Sequence, residues 1–283
     1  MTYLETYTSS LNNSSLSDSI TTTAKSVVSN IESRFDFTEP LTGLLLGNVQ
    51  SGKTGQMLGV ISHLADKGYR IFLLLTTDNI DLQRQTYNRV KSALTSFTVL
   101  SESDVVLFNP HNLIKPIVIV LKKNASVLRK WGNLLMTYQL NTGLCLTIFD
   151  DEADAASLNT LVNRNRTSTI NKHLQKIKDT ASSSLYLEVT ATPQSIILQT
   201  VMSGWKPAFI NYFKPGKDYL GGNFFYSNPT SYCIRFTSEN ELDEISEDGD
   251  ILCPEGLRKG IVSFSVVCAY KKIKGETNCN FMI

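Results

Sequence analysis

At 283 residues, 42% of them apolar, the chain can build one large core, or one domain and part of another. Its formal net charge of +1 spreads no basic field over the surface, so contact with nucleic acid would have to come from a local patch. The five cysteines are odd in number, widely spaced and free of any C-x-x-C pair, which argues against a disulfide framework or a zinc site; Cys145 and Cys268 sit in apolar runs as expected core thiols.

Residues 1–15 are rich in Ser, Thr and Asn and are expected to be loosely ordered. Leu16, Ile20, Ala24, Val27, Val28, Ile31 and Phe35 then recur at helical spacing and complete an amino-terminal helical extension over 1–36, with Pro40 just beyond it. A buried strand over 44–46 runs into Gly47-Asn-Val-Gln-Ser-Gly52-Lys53-Thr54, after which Met57, Leu58, Val60, Ile61 and Leu64 give a helical face that stops near Gly68. A strand over 70–75 is followed by a polar helix over 82–94, and a strand over 116–121 by a helix that Asn124 can cap and that reaches Tyr138. Apolar runs over 144–149 and 185–189 complete five strands alternating with helices, which predicts a parallel sheet covered on both faces over 37–200. Residues 201–250 break the pattern with Trp205, Phe209, Tyr212, Phe213, Tyr219, Phe224, Phe225 and Tyr226 among glycines and then an acidic stretch. This reads as an insertion packed on its host, in preference to a base-stacking surface. A helix from Pro254 to Gly275 and a strand over 280–283 close the chain, which reads as stopping short of a further lobe. No amino-terminal basic and apolar pair of segments and no run near ~18 apolar residues is present, so a cytoplasmic setting is expected.

Three separated segments carry chemistry. The first fits G-x-x-x-x-G-K-[ST]: the amides of Gly47, Gln50, Ser51 and Gly52 would wrap phosphates, Lys53 would neutralise β/γ charge and the Thr54 hydroxyl would reach Mg²⁺. It lies between a strand and a helix, as such a loop requires, so a merely solvated Lys53 is the weaker reading. The second, Asp151-Glu152-Ala153-Asp154, is a DEAD sequence at the carboxyl end of a buried strand, where ligands of open α/β sheets bind. Asp151 is the metal candidate through its water shell, with Asp150 as competitor, and Glu152 is the residue to orient or deprotonate the attacking water. The third, Thr190-Ala191-Thr192-Pro193, places two hydroxyls at another strand end, where the plainer reading makes them turn and cap groups. Asn79, Gln83, Gln85, Thr86 and Arg89, after the second strand, are candidates for nucleic-acid phosphate contact, with a solvated helix as the alternative.

These segments, with Ser157-Leu-Asn-Thr160, Leu121-Lys-Lys-Asn124, Pro215-Gly-Lys-Asp-Tyr219-Leu-Gly221 and Leu252-Cys-Pro-Glu-Gly-Leu257, closely resemble the Z1-domain family over most of 40–283. That family is a branch of superfamily 2 helicase-like P-loop ATPases from bacterial restriction, phage-defence and DNA-repair neighbourhoods. The resemblance implies a RecA-like amino-terminal lobe that uses ATP and Mg²⁺, acts on DNA with protein partners, and continues into a second lobe. It also implies that Thr190 and Thr192 bond to Asp154 and link nucleotide state to lobe movement. Members are often labelled endonucleases, but Glu188-Val-Thr190 lacks the lysine such a core needs, and His63, His111 and His173 form no metal pair.

The chain is therefore expected to be the ATP-binding and hydrolysing lobe of a DNA-dependent ATPase, weakly active by itself. The arginine finger, worth ~10³–10⁵ in rate in other P-loop enzymes, comes from the second lobe in the family. Arg164, Arg166 and Arg235 are the candidates within this chain. The alternative is an ATP-dependent switch or scaffold that docks a partner without translocating.

Overall fold

The computed structural model describes residues 1–49, 51–111, 113–138, 140, 144–156, 168–181, 183–197, 206–217, 219–227 and 254–275. Gln50, Ser157–Thr160, Arg164, Arg166, Trp205, Arg235, the acidic stretch over 239–250 and the strand expected over 280–283 lie outside the described residues. The chain divides into two units, Met1–Tyr219 and Leu220–Ile283.

The first unit is built on strands β1 (Leu41–Gly47), β2 (Ile71–Thr76), β3 (Thr98–Ser101), β4 (Ile117–Lys122), β5 (Leu146–Asp151), β6 (Ser184–Thr190) and β7 (Phe209–Phe213). They form one sheet in the order β3-β4-β2-β5-β6-β1-β7, and each pairing is parallel. Near-continuous apolar runs such as Ile71-Phe-Leu-Leu-Leu75 suit strands buried on both faces, and the pleat sends alternate residues to opposite sides. Phe72 and Leu74 join a core with helices α1 (Tyr3–Ser9), α2 (Ser14–Glu32), α3 (Lys53–Asp66) and, through Val90, α4 (Ile80–Ala93). Ile71, Leu73 and Leu75 face α5 (Ala125–Thr137) and α7 (Thr169–Lys178), with Trp131 fully buried there. A short helix α6 (Ala153–Ala156) follows β5. This is the α/β fold expected of the sequence, a parallel sheet covered by helices on both faces, with two strands more than were anticipated.

Both additional strands were obscured by their composition. The four-residue β3 is only half-buried, and β7 comes from the aromatic stretch assigned to the insertion. On β7, Phe209 and Phe213 point into the core while Ile210 and Tyr212 stay exposed, the alternation of an edge strand. The amino terminus also departs from expectation. Thr2 and Glu5 form a reciprocal capping box at the start of α1. Asp66, at the end of α3, accepts the amides of Tyr3 and Leu4 at 2.6 and 3.2 Å. Leu4 and Tyr7 are buried, so the segment is ordered by tertiary contacts. Asp66→Ala is accordingly expected to destabilise the protein by about 1–2 kcal/mol, the worth of a helix amino-terminal acceptor; an unchanged urea midpoint would contradict this role.

In the second unit, α8 (Gly222–Tyr226) and α9 (Glu255–Ile273) are helical. Leu257, Phe264 and Cys268 of α9 are half-buried, whereas Ile261, expected on the same face, is exposed. Among the described residues, no helix is long and apolar enough to cross a membrane.

Candidate nucleotide site at the carboxyl edge of the sheet

Strand register brings the three motifs together. Leu46 of β1 pairs with Thr190 of β6, and Asp151 of β5 pairs with Val189 of the same strand. Because β6 lies between β1 and β5, the glycine-rich loop, the hydroxyl pair and the acids leave one edge as three neighbouring strand ends.

In the loop, Gly52 holds φ of +82°, a left-handed conformation open to glycine, and no side chain caps α3 there. The first amides of α3 thus meet the requirements of an anion site: orphan N–H donors at the positive end of a helix dipole. Lys53 folds back over the start of the loop; a Cβ on Gly47 would lie only 2.8 Å from its Cγ. Ser51 donates to the Asn48 carbonyl both from its hydroxyl at 2.7 Å and from its amide at 3.3 Å, so it closes the loop on itself, and the amide expected to wrap phosphate is already bonded. The Tyr219 hydroxyl donates to the Val49 carbonyl at 2.8 Å and Tyr7 to that of Gly55 at 3.1 Å, which ties the loop to both ends of the unit.

The acids divide by environment. Asp150 is fully buried: one carboxylate oxygen accepts from Lys123 Nζ at 3.0 Å and the other from the Tyr186 hydroxyl. Its pairing removes it as competitor for a metal. Asp151 is half-buried and Glu152 exposed, with the Glu152 amide donating to Asp151 Oδ1 at 3.2 Å. Burial, then the adjacent charge of Glu152, push Asp151 up to about 6 against the pull of Lys53 and Lys123. This donor set fits Mg²⁺. A divalent cation would offset the burial and the repulsion that hold Asp151 up, and Mg²⁺ takes one or two carboxylates together with substrate phosphates and water in preference to a full protein cage. Among the described residues no cluster of three His, Cys, Asp or Glu side chains forms such a cage.

Asp154 accepts from the Thr190 hydroxyl at 2.5 Å and the Thr192 hydroxyl at 2.6 Å. The Thr192 amide in turn donates to Thr190 Oγ1 at 2.9 Å. Burial alone would raise the Asp154 carboxyl; the two hydroxyl bonds outweigh it and the group is held low. The two threonines therefore make the bonds that the resemblance implies, and a latch joins the end of β6 to the turn after β5.

The five residues proposed to touch nucleic acid do not form one surface. Asn79 spends its side-chain oxygen capping α4, accepting from the amides of Asp81 and Leu82. Gln83 is buried and donates to the Val120 carbonyl at 3.2 Å, so it anchors α4 to β4 and cannot meet a phosphate. Arg89 turns to the glycine-rich loop, its Nη1 3.5 Å from Thr54 Oγ1. Gln85 is exposed and Thr86 half-buried.

Sequence reasoning passed over a buried polar group behind the acids. Lys123, Lys178 and Glu188 are all buried, and Lys178 Nζ lies 3.4 Å from the centre of the Tyr186 ring. Burial pushes Lys178 down to about 7 despite Glu188. Burial, then Asp150, push Glu188 up to about 7. The available signal was a lysine directly after one buried strand and a tyrosine and glutamate inside another.

No protein-family model and no curated protein matches this chain. Among solved structures it is similar to the Sulfolobus solfataricus SWI2/SNF2 ATPase core in complex with dsDNA, at 13% identity and a TM-score of 0.38. The match covers 58% of this chain and 31% of that one, so the chain spans under a third of that protein's length. A likeness at this level carries no argument about function; the site geometry has to carry it.

Proposed function

We propose that this chain is the ATP-binding and hydrolysing lobe of a DNA-dependent, helicase-like superfamily 2 ATPase of the Z1-domain type, serving bacterial restriction, phage defence or DNA repair with protein partners. The observation that carries the reading is the placement of phosphate cradle, acid pair and threonine latch on three neighbouring strand ends. Lys53 and the first amides of α3 would hold the phosphates of ATP and oppose the charge that develops during transfer. Thr54 and Asp151 would hold Mg²⁺, which when bound neutralises phosphate charge. Glu152, exposed beside Asp151, would orient the attacking water and accept its proton. The latch of Thr190 and Thr192 on Asp154 would report the state of the acid turn to β6.

The reading is tested by phosphate release from Mg·ATP with and without single-stranded DNA, duplex DNA and RNA. Slow hydrolysis that a DNA form accelerates only a little is expected of this chain by itself, since the arginine finger would come from another lobe. Tight ATP binding with no hydrolysis under any of these conditions would favour a switch or scaffold and overturn the motor reading. The latch has its own test. With Thr190→Val and Thr192→Val combined, ATP affinity is expected to persist, while coupling between DNA and hydrolysis falls by roughly 0.5–2 kcal/mol. Undiminished stimulation would return the threonines to a local turn role.

A further inference from the structure

We propose that Lys123, which no motif assigns, is a positioning residue for Asp151 and Glu152. The proposal rests on the ATPase reading of the site. Lys123 follows β4, and its ammonium is fully buried. Its three protons have three acceptors: Asp150 Oδ1 at 3.0 Å and the backbone carbonyls of Asp151 and Glu152, each at 2.7 Å. Two of the three bonds therefore grip the backbone from which the nucleotide-facing carboxylates project.

The grip falls where the chain needs one. Glu152 has φ of +52°, a left-handed conformation that a glutamate adopts only where its surroundings over-determine it. Asp150 is fixed from its other side by the Tyr186 hydroxyl, beneath the Lys178 ammonium. The anchor thus belongs to the buried interior, while the turn it holds opens on the site. Stability gives a poor account of such a pair, since apolar residues of similar volume often stabilise a core as well as a buried ion pair does. What an apolar pair cannot do is bind two carbonyls. If Lys123 served only to neutralise Asp150, removing both charges together would leave the site intact; if it positions the turn, the site loosens although the core is satisfied.

The test compares Lys123→Met combined with Asp150→Asn against Asp150→Asn alone, each confirmed as folded by its melting curve. In the double variant, ATP affinity in EDTA is expected to be unchanged. The tightening of ATP binding by Mg²⁺ and the single-turnover hydrolysis rate should each fall by about 10–100-fold, the usual loss when an outer partner of a metal ligand is removed. In nucleotide-free protein, amide exchange over 151–154 should speed by about tenfold or more while the strands keep their protection. Asp150→Asn alone, with the carbonyl grip retained, is expected to stay near wild type in all three. A folded double variant with wild-type Mg²⁺ tightening and wild-type exchange would overturn the proposal, as would an Asp150→Asn variant that loses as much as the double. A wild-type chain that binds no ATP would refute the ATPase reading separately, and the exchange comparison would still decide the grip.

Discussion

Lys53→Ala is expected to abolish measurable Mg·ATP binding in a chain that still folds. The expectation follows from where the side chain lies. Its stem packs on Gly47 at the end of β1, and its charge is close enough to Asp151 to lower that carboxyl against burial. It faces the site and is not a member of either main core. A unit charge about 4 Å from a phosphate at a protein surface contributes up to ~4 kcal/mol, close to a thousandfold in affinity. Alanine also suits the first position of a helix, so the substitution leaves α3 intact. Titration calorimetry on the folded variant makes the check, and unchanged affinity would sink the assignment of the loop as a phosphate cradle.

Glu152→Gln is expected to keep ATP affinity and lose turnover by about 10²–10⁴, the usual worth of a positioned base. Glutamine has the shape of glutamate without its proton affinity, and the side chain is exposed, so the fold does not depend on its charge. Single-turnover hydrolysis beside a binding isotherm separates the two effects. Normal turnover would move the base elsewhere, and the structure narrows the choice. Asp150 is committed to Lys123 and Tyr186, which leaves Asp151.

What was legible in the sequence follows from how local each feature is. The loop from Gly47 to Thr54, the helix after it and the acids after β5 were readable because fixed residue spacing and short apolar runs specify them within a dozen residues. Helix α1 was not, because a seven-residue helix has no stability of its own and this one depends on Asp66, some sixty positions away. Strand β7 was hidden by its aromatic neighbours; it joins the sheet through pairing with Gly43–Gly47 of β1, a long-range fact. Gln83 read as a candidate phosphate contact on a polar helix, and only the packing of α4 on β4 shows it turned inward. Lys123 was given no role of its own, since its acceptors begin 27 residues later. The motif chemistry was thus local and readable, and the residues that hold it in place were not.

The most direct measurement of the central claim is a crystal structure of this chain with Mg²⁺ and a non-hydrolysable ATP analogue. The account predicts phosphates against the amides of the Gly47–Thr54 loop and Lys53, with Thr54 and Asp151 on the metal side and Glu152 facing the terminal phosphate. A nucleotide bound away from that loop, or phosphates in the loop with Asp151 and Glu152 turned from them, would contradict it.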